Sequence, residues 1–149
     1  VIVTLRPVAD ADLPLFYEYQ RDPVAAAMAA MPPRDRAAFD EHWARIRASP
    51  TGTLRTVLAD GAVAGSVVAW EAGGATLVGY WIGRELWGRG VASAALAAFV
   101  GEIGTRPLFA TVAVDNVASR RVLERCGFVE VGPPVTGDDG VAELRLRLD

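Results

Sequence analysis

Three β-rich runs follow one another with almost nothing between them. Thr53–Ala59, Val63–Trp70 and Thr76–Ile82 are separated by Asp60-Gly61 and then by Ala72-Gly73-Gly74. Links this short join only antiparallel neighbours, because a parallel crossover needs about a dozen residues or more. The middle of the chain is therefore an antiparallel meander, and a doubly wound parallel sheet is excluded. A chain of 149 residues that is 52% hydrophobic and 22% charged can bury a real core. We expect one domain spanning residues 1–149.

The remaining elements flank this meander. A strand over Ile2–Arg6 ends at Pro7. Asp10 is placed to cap a helix whose Leu13, Phe16, Tyr17 and Gln20 share a face. Residues 22–34 read as a short helix or a mobile loop. Asp35–Ala48 reads as a helix with a stripe of Phe39, Trp43 and Ile46. After the meander comes a helix over Val91–Ile103, with Ala92, Ala95, Leu96, Phe99 and Ile103 facing inward. Leu108–Val114 is an apolar run expected to be central and covered on both faces. Asp115-Asn116 opens a helix to Cys126, and Gly127 is placed to end it. Phe128–Val131 and Val141–Leu148 are the closing strands. Counting outward from the second turn pairs Tyr80 with Ser66, and Glu71 with Ala75. Glu71 thus lies at the far end of the meander from Ile82.

Composition removes several classes of function. Eighteen acidic residues against fifteen basic ones give a net charge of −3, so no bulk basic face for nucleic acid is expected. One cysteine (Cys126) and one histidine (His42) allow no internal disulfide and no structural zinc site, and no metal is expected. No apolar run approaches the ~18–20 residues of a membrane span. The first residues, Val1 to Arg6, are strand-like rather than leader-like, so the expected location is cytoplasmic.

The turn Trp87-Gly88-Arg89-Gly90-Val91-Ala92 carries the chemistry. The first amides of a helix lack internal acceptors, and the helix dipole places partial positive charge there. Glycines allow close approach of a phosphate, and Arg89 adds a charge-assisted donor. The alternative is a tight strand-to-helix turn that needs small residues. A Walker A loop is excluded because all fifteen basic residues are arginine. A dinucleotide fingerprint is excluded because Ser93 stands at its third glycine and the preceding strands form a meander.

Downstream lies Asp115-Asn116-Val117-Ala118-Ser119, running on to Cys126-Gly127-Phe128. The two elements together resemble the GNAT superfamily of acetyl-CoA-dependent N-acetyltransferases. Tyr80-Trp81-Ile82 leading into Trp87-Gly88-Arg89-Gly90 is similar to its RimJ/RimL-like branch, whose named members acetylate the N-termini of ribosomal proteins. The resemblance implies a mixed α/β (α+β) fold. Its mostly antiparallel mixed sheet would have about seven strands, flanked by about four helices and splayed between the fourth and fifth strands. It implies acetyl-CoA as cosubstrate, with Ile82 offering backbone groups to the pantetheine arm and the acetyl group. Trp87, Gly88, Arg89, Gly90, Val91 and Ala92 would cradle the pyrophosphate. Asn116 would contact CoA, and Ser119 would lie near the thiol.

Three positions depart from the family pattern: Trp87 stands where the glycine motif has Gln or Arg (as is usual in the RimJ/RimL-like branch), Leu123 where many relatives place a tyrosine acid, and Leu77 where glutamate is common. The implied reaction is direct attack of a primary amine (a protein N-terminus or a small molecule) in a ternary complex, by a monomer or a homodimer. Ser119 is the candidate donor to the departing thiolate; its alternative is a hydrogen bond within the helix start. The backbone near Ile82 is the candidate oxyanion donor. Asp138 is a candidate base, with turn formation beside Gly137 and Gly140 as its alternative. Glu85 and His42 read as surface or packing residues; Tyr80, Trp81 and Trp87 lie near the proposed site, with core aromatics as their alternative. Residues 22–34 read as a lid on the acceptor side or as a plain connection. Missing acid and base residues also suit a non-catalytic acyl-CoA sensor.

Overall fold

Both tight turns form as their residues imply. Asp60 and Gly61 take φ of 51° and 83°, and Gly73 and Gly74 take 58° and 79°, the positive values of two-residue hairpins. The computed structural model describes residues Val1–Asp149. Its strands are β1 (Val3–Pro7), β2 (Thr53–Ala59), β3 (Ala62–Ala72), β4 (Ala75–Ile82), β5 (Leu108–Ala113), β6 (Val129–Glu130), β7 (Val135–Thr136) and β8 (Ala142–Leu148). Its helices are α1 (Leu13–Arg21), α2 (Pro23–Ala29), α3 (Arg36–Ala48), α4 (Val91–Glu102) and α5 (Val117–Arg125). One sheet runs in the order β1-β2-β3-β4-β5-β8-β6, and β7 also pairs with β8. Every pairing is antiparallel except β4 with β5. This is the expected mixed fold, with one more strand and one more helix than anticipated.

The additional helix is α2. Residues 22–34 resolve in favour of a short helix because Asp22 caps it, accepting from Val24 N at 2.9 Å, and Pro23 occupies its first position.

The sheet has two covered faces. On one, Leu96 and Phe99 of α4 and Leu123 of α5 pack with Val57, Val67, Val78, Leu108 and Leu146. On the other, Phe16 of α1 meets Phe39 and Trp43 of α3, with Val68 packed against them. The inner face of α4 is Val91, Ala95, Leu96, Phe99 and Val100; Ala92 and Ile103 are only half-buried at its borders.

Three local expectations are corrected. Asp10 is not a cap: residues 10–12 form a single 3-10 turn, Asp10 bonds Arg47 at 2.7 Å, and Asp12 reaches back to Ala9 N at 2.8 Å. Tyr80 pairs with Val67 rather than Ser66, and Glu71 with Thr76 rather than Ala75. Ala72 joins the strand, so the turn is two residues long and the register moves by one. The strand β5 is fully covered on one face and only partly on the other, where Ala113 is buried. Leu108, Ala110 and Val112 are buried, whereas Thr111 is exposed and Phe109 carries the Arg145 guanidinium 4.3 Å above its ring. Helix α1 packs over β3 and β4 instead.

Candidate active site

The site begins where β4 and β5 part. Their parallel pairing covers only Thr76↔Leu108 and Leu77↔Phe109. Hydrogen-bonded and unbonded pairs alternate along an antiparallel hairpin. Starting from the closing pair Ala72↔Ala75, the pairs of Tyr80 and Ile82 are unbonded ones. The N–H and C=O groups of both residues therefore turn away from β3 and into the splay. The Trp87 indole donates to the Ile82 carbonyl at 2.9 Å, which leaves the Ile82 amide facing the gap without a strand partner.

Beyond β4 the chain turns into α4. Gly88 and Gly90 both take φ +77°, and a Cβ built on either meets nothing within 4 Å. Only glycine adopts this backbone freely, and the bare turn leaves its amides open. The first backbone bond into α4 is Ala94 N to Gly90 O at 3.1 Å. The six N–H groups from Gly88 to Ser93 have no acceptor in the protein. They line up at a helix start, where partial positive charge accumulates.

Helix α5 forms the opposite wall. Asn116 caps it, its Oδ1 accepting from Ser119 N at 3.2 Å, so only its Nδ2 remains for a ligand. At the other end Phe128 N bonds Leu123 O and Gly127 N bonds Glu124 O, both at 3.0 Å, with Gly127 at φ +95°. This paired closure fixes where α5 stops. The Ser119 hydroxyl lies 2.6 Å from that of Tyr80. Burial pushes the Tyr80 phenol pKa up, so the phenol keeps its proton.

Together these elements enclose a cavity of about 450 Å³. It gathers Ile82, Trp87, Gly88, Gly90, Val91, Ala92, Asn116 and Ser119 from the sequence-derived set. Arg89 is exposed on the turn and does not line the cavity. Asp138 is exposed on the loop between β7 and β8, also away from it, where Asp139 closes the turn by accepting from Val141 N at 2.9 Å. His42 lies on α3 beside Arg45, and burial lowers its pKa. Cys126 is half-buried, its thiol raised by burial and directed at Ser93 O at 3.6 Å.

Ala25, Met28 and Ala29 of α2, within the segment read as a lid or a connection, supply an apolar wall. Two contributors escape sequence reasoning. Arg121 and Arg125 of α5 line the opening; neither they nor Arg89 has an ion pair or a hydrogen bond. Their signal is readable: Ala118, Arg121 or Val122, and Arg125 recur at helical spacing on one face. Tyr80 is placed near the site by sequence, but nothing in sequence links it to Ser119. A second hollow, of about 350 Å³ beside Val8, Arg47 and Arg55, has its arginines committed to Asp10 and Glu102.

The fit to CoA is thus physical. Unpaired amides at the Gly88–Ser93 turn, with Arg121 and Arg125 at the opening, suit phosphates, and open strand amides suit the pantetheine arm. No group of three or more His, Cys, Asp or Glu is placed to hold a metal, and no helix is long and apolar enough to cross a membrane.

Comparison with known proteins agrees with this geometry. The family model described as acetyltransferase (GNAT) domain matches residues 3–129. No curated protein matches the chain. The fold is similar to spermidine N-acetyltransferase from Vibrio cholerae in complex with CoA and spermine. That match has 19% identity and TM-score 0.84, covering 98% of this chain and 94% of that one. Mycobacterium smegmatis RimJ, in complex with CoA-disulfide, gives 23% identity and TM-score 0.80 over 98% and 81%. An aminoglycoside acetyltransferase in complex with coenzyme A gives 19% and 0.78 over 97% and 94%.

Proposed function

The chain belongs to the acetyltransferase (GNAT) family and is an acetyl-CoA-dependent N-acetyltransferase; from that premise we propose that it acetylates a primary amine carrying no second cation, a protein N-terminus foremost, by direct attack in a ternary complex. The observation that supports cofactor binding at this site is the run of six unbonded amides from Gly88 to Ser93. No Asp or Glu lines the cavity, and the acceptor choice rests on reading its Ile82 end as the place where the amine enters. Spermine and aminoglycosides are polycations, and a site for them needs carboxylates to offset desolvation of the added charges. The RimJ/RimL-like sequence elements at Tyr80–Ile82 and Trp87–Gly90 support the same choice. We read residues 1–149 as one working unit, since a single sheet carries every strand.

Acetyl-CoA supplies an acetyl thioester whose carbonyl carbon the acceptor nitrogen attacks. The chain's own groups do the rest. The Gly88–Ser93 amides and Arg89, Arg121 and Arg125 hold the phosphates. Trp87 and Asn116 border the arm. The Ile82 N–H donates to the carbonyl oxygen where charge develops. The Ser119 hydroxyl donates to the departing sulfur. With no carboxylate or histidine in the cavity, and Asp138 outside it, the acceptor loses its proton to water. Activity should then rise with pH up to the acceptor's own pKa, about 8 for an α-amine.

Thiol release from acetyl-CoA tests the acceptor. A short peptide with a free α-amine should exceed spermidine and an aminoglycoside in kcat/KM by more than about tenfold, the discrimination of one unpaired buried charge. Faster turnover of either polycation overturns the acceptor reading.

A further inference from the structure

The Tyr80–Ser119 hydroxyl pair carries an inference that rests on the reading of Ser119 as donor to sulfur. Tyr80 reaches in from β4, Ser119 from the first turn of α5, and both line the cavity. Their oxygens are 2.6 Å apart, and neither hydroxyl has another partner in the protein. One turn beyond Ser119 stands Leu123, buried and without a hydroxyl, so α5 offers no second donor there.

Chemistry sets the direction of the bond. A phenol is far more acidic than an aliphatic hydroxyl, and the aliphatic oxygen is the better acceptor. Tyr80 therefore donates and Ser119 accepts. Burial keeps Tyr80 protonated, and the other titratable group facing it, the Cys126 thiol, is held neutral by the same cause. With its oxygen engaged by Tyr80, the Ser119 hydrogen is free to point into the cavity.

We propose that Tyr80 is a positioning residue for acetyl transfer: its donation to Ser119 Oγ aims the seryl O–H at the departing sulfur and strengthens it as a donor. The N–C bond forms as the C–S bond breaks, and the bonding electron pair leaves with sulfur. Ser119 donates a hydrogen bond to that charge. Water takes the proton that nitrogen loses and returns one to sulfur, while Tyr80 keeps its own. Chained hydrogen bonds polarise one another in this way.

Tyr80→Phe removes one oxygen and keeps the ring, and Ser119→Ala removes the proposed donor. The readouts are kcat, KM for acetyl-CoA, and the pKa of the bound CoA thiol from its thiolate absorbance across pH. Ser119→Ala should lower kcat by about a hundredfold and Tyr80→Phe by about tenfold, each with KM within about twofold. Both should raise the bound-thiol pKa. In the Ser119→Ala background Tyr80→Phe should add nothing, because its effect runs through Ser119. Ser119→Thr, which keeps an acceptor and a donor, should recover most of the activity. Wild-type kcat in Tyr80→Phe, or effects that multiply in the double variant, overturn the inference and leave the transferase reading standing. Wild-type kcat in Ser119→Ala removes the donor role itself. Failure of the wild-type protein to bind CoA removes the underlying reading.

Discussion

Gly90→Val should weaken CoA binding by about a hundredfold or more. Two consequences combine at this residue. Its φ of +77° is a region that β-branched side chains avoid, at a cost of about 1–2 kcal/mol. Its Cβ would project where no protein atom lies within 4 Å, so the new side chain fills the cradle rather than the core. Losing two charge-assisted hydrogen bonds at about 1.5 kcal/mol each gives about 3 kcal/mol, which is the hundredfold. Gly90→Asn separates the causes, because asparagine tolerates the left-handed region yet still occupies the cradle. Calorimetric titration should show both variants losing affinity, with a larger drop in melting temperature for valine. Wild-type affinity in Gly90→Asn would move the phosphates elsewhere.

Asp12→Ala should cost about 3 kcal/mol of stability, a large share of what a domain has to spare. Asp12 is 2% exposed and accepts four hydrogen bonds. Arg6 donates two at 2.7 and 2.8 Å, Ala9 N one at 2.8 Å, and Thr56 Oγ1 one at 2.6 Å. Thr56 is fully buried on β2, so the truncation strands a hydroxyl that water cannot reach. The carboxylate ties the start of α1 to β1 and β2, and through them to the meander that ends at the site. Donation by Arg6, chiefly, with help from Thr56 and Ala9, holds its pKa well below the usual carboxylate range. The folded state thus favours the ionised form. Its contribution is complete above the unfolded value of about 4 and is lost as pH falls below that. Denaturant melts should show wild-type stability falling across this acid range more steeply than that of Asp12→Asn. Equal slopes would mean that the carboxylate contributes no linked stability.

Local rules made the meander, the two glycine-containing hairpins and both ends of α5 legible. Asp60-Gly61 and Gly127 accept positive φ at little cost, and Asn116 caps through a side chain three residues from its partner; each decision is made within one turn. The open glycine turn before α4 was legible for the same reason. What escaped depends on groups distant in sequence. Asp10 and Asp12 are equivalent capping residues locally; a buried hydroxyl 44 residues away on β2 decides between them. The partly open face of β5 depends on where α1 packs, which an apolar run cannot reveal. Tyr80 is an aromatic on a strand, a pattern shared by every core tyrosine, until α5 brings Ser119 against it. The one-residue register error has a local cause: Ala72-Gly73-Gly74 fits a three-residue loop as well as a strand end plus two glycines.

In the proposed function, the open amides of the Gly88–Ser93 turn and the splayed end of β4 form one elongated site for CoA. Isothermal titration with acetyl-CoA, CoA and ATP tests it most directly. ATP shares the phosphates but has no pantetheine arm to meet the free strand groups of Tyr80 and Ile82. The account predicts tight, one-to-one binding of both CoA species and much weaker binding of ATP. Equal affinity for ATP would reduce the site to a phosphate cradle alone, and no heat from either CoA species would contradict the account.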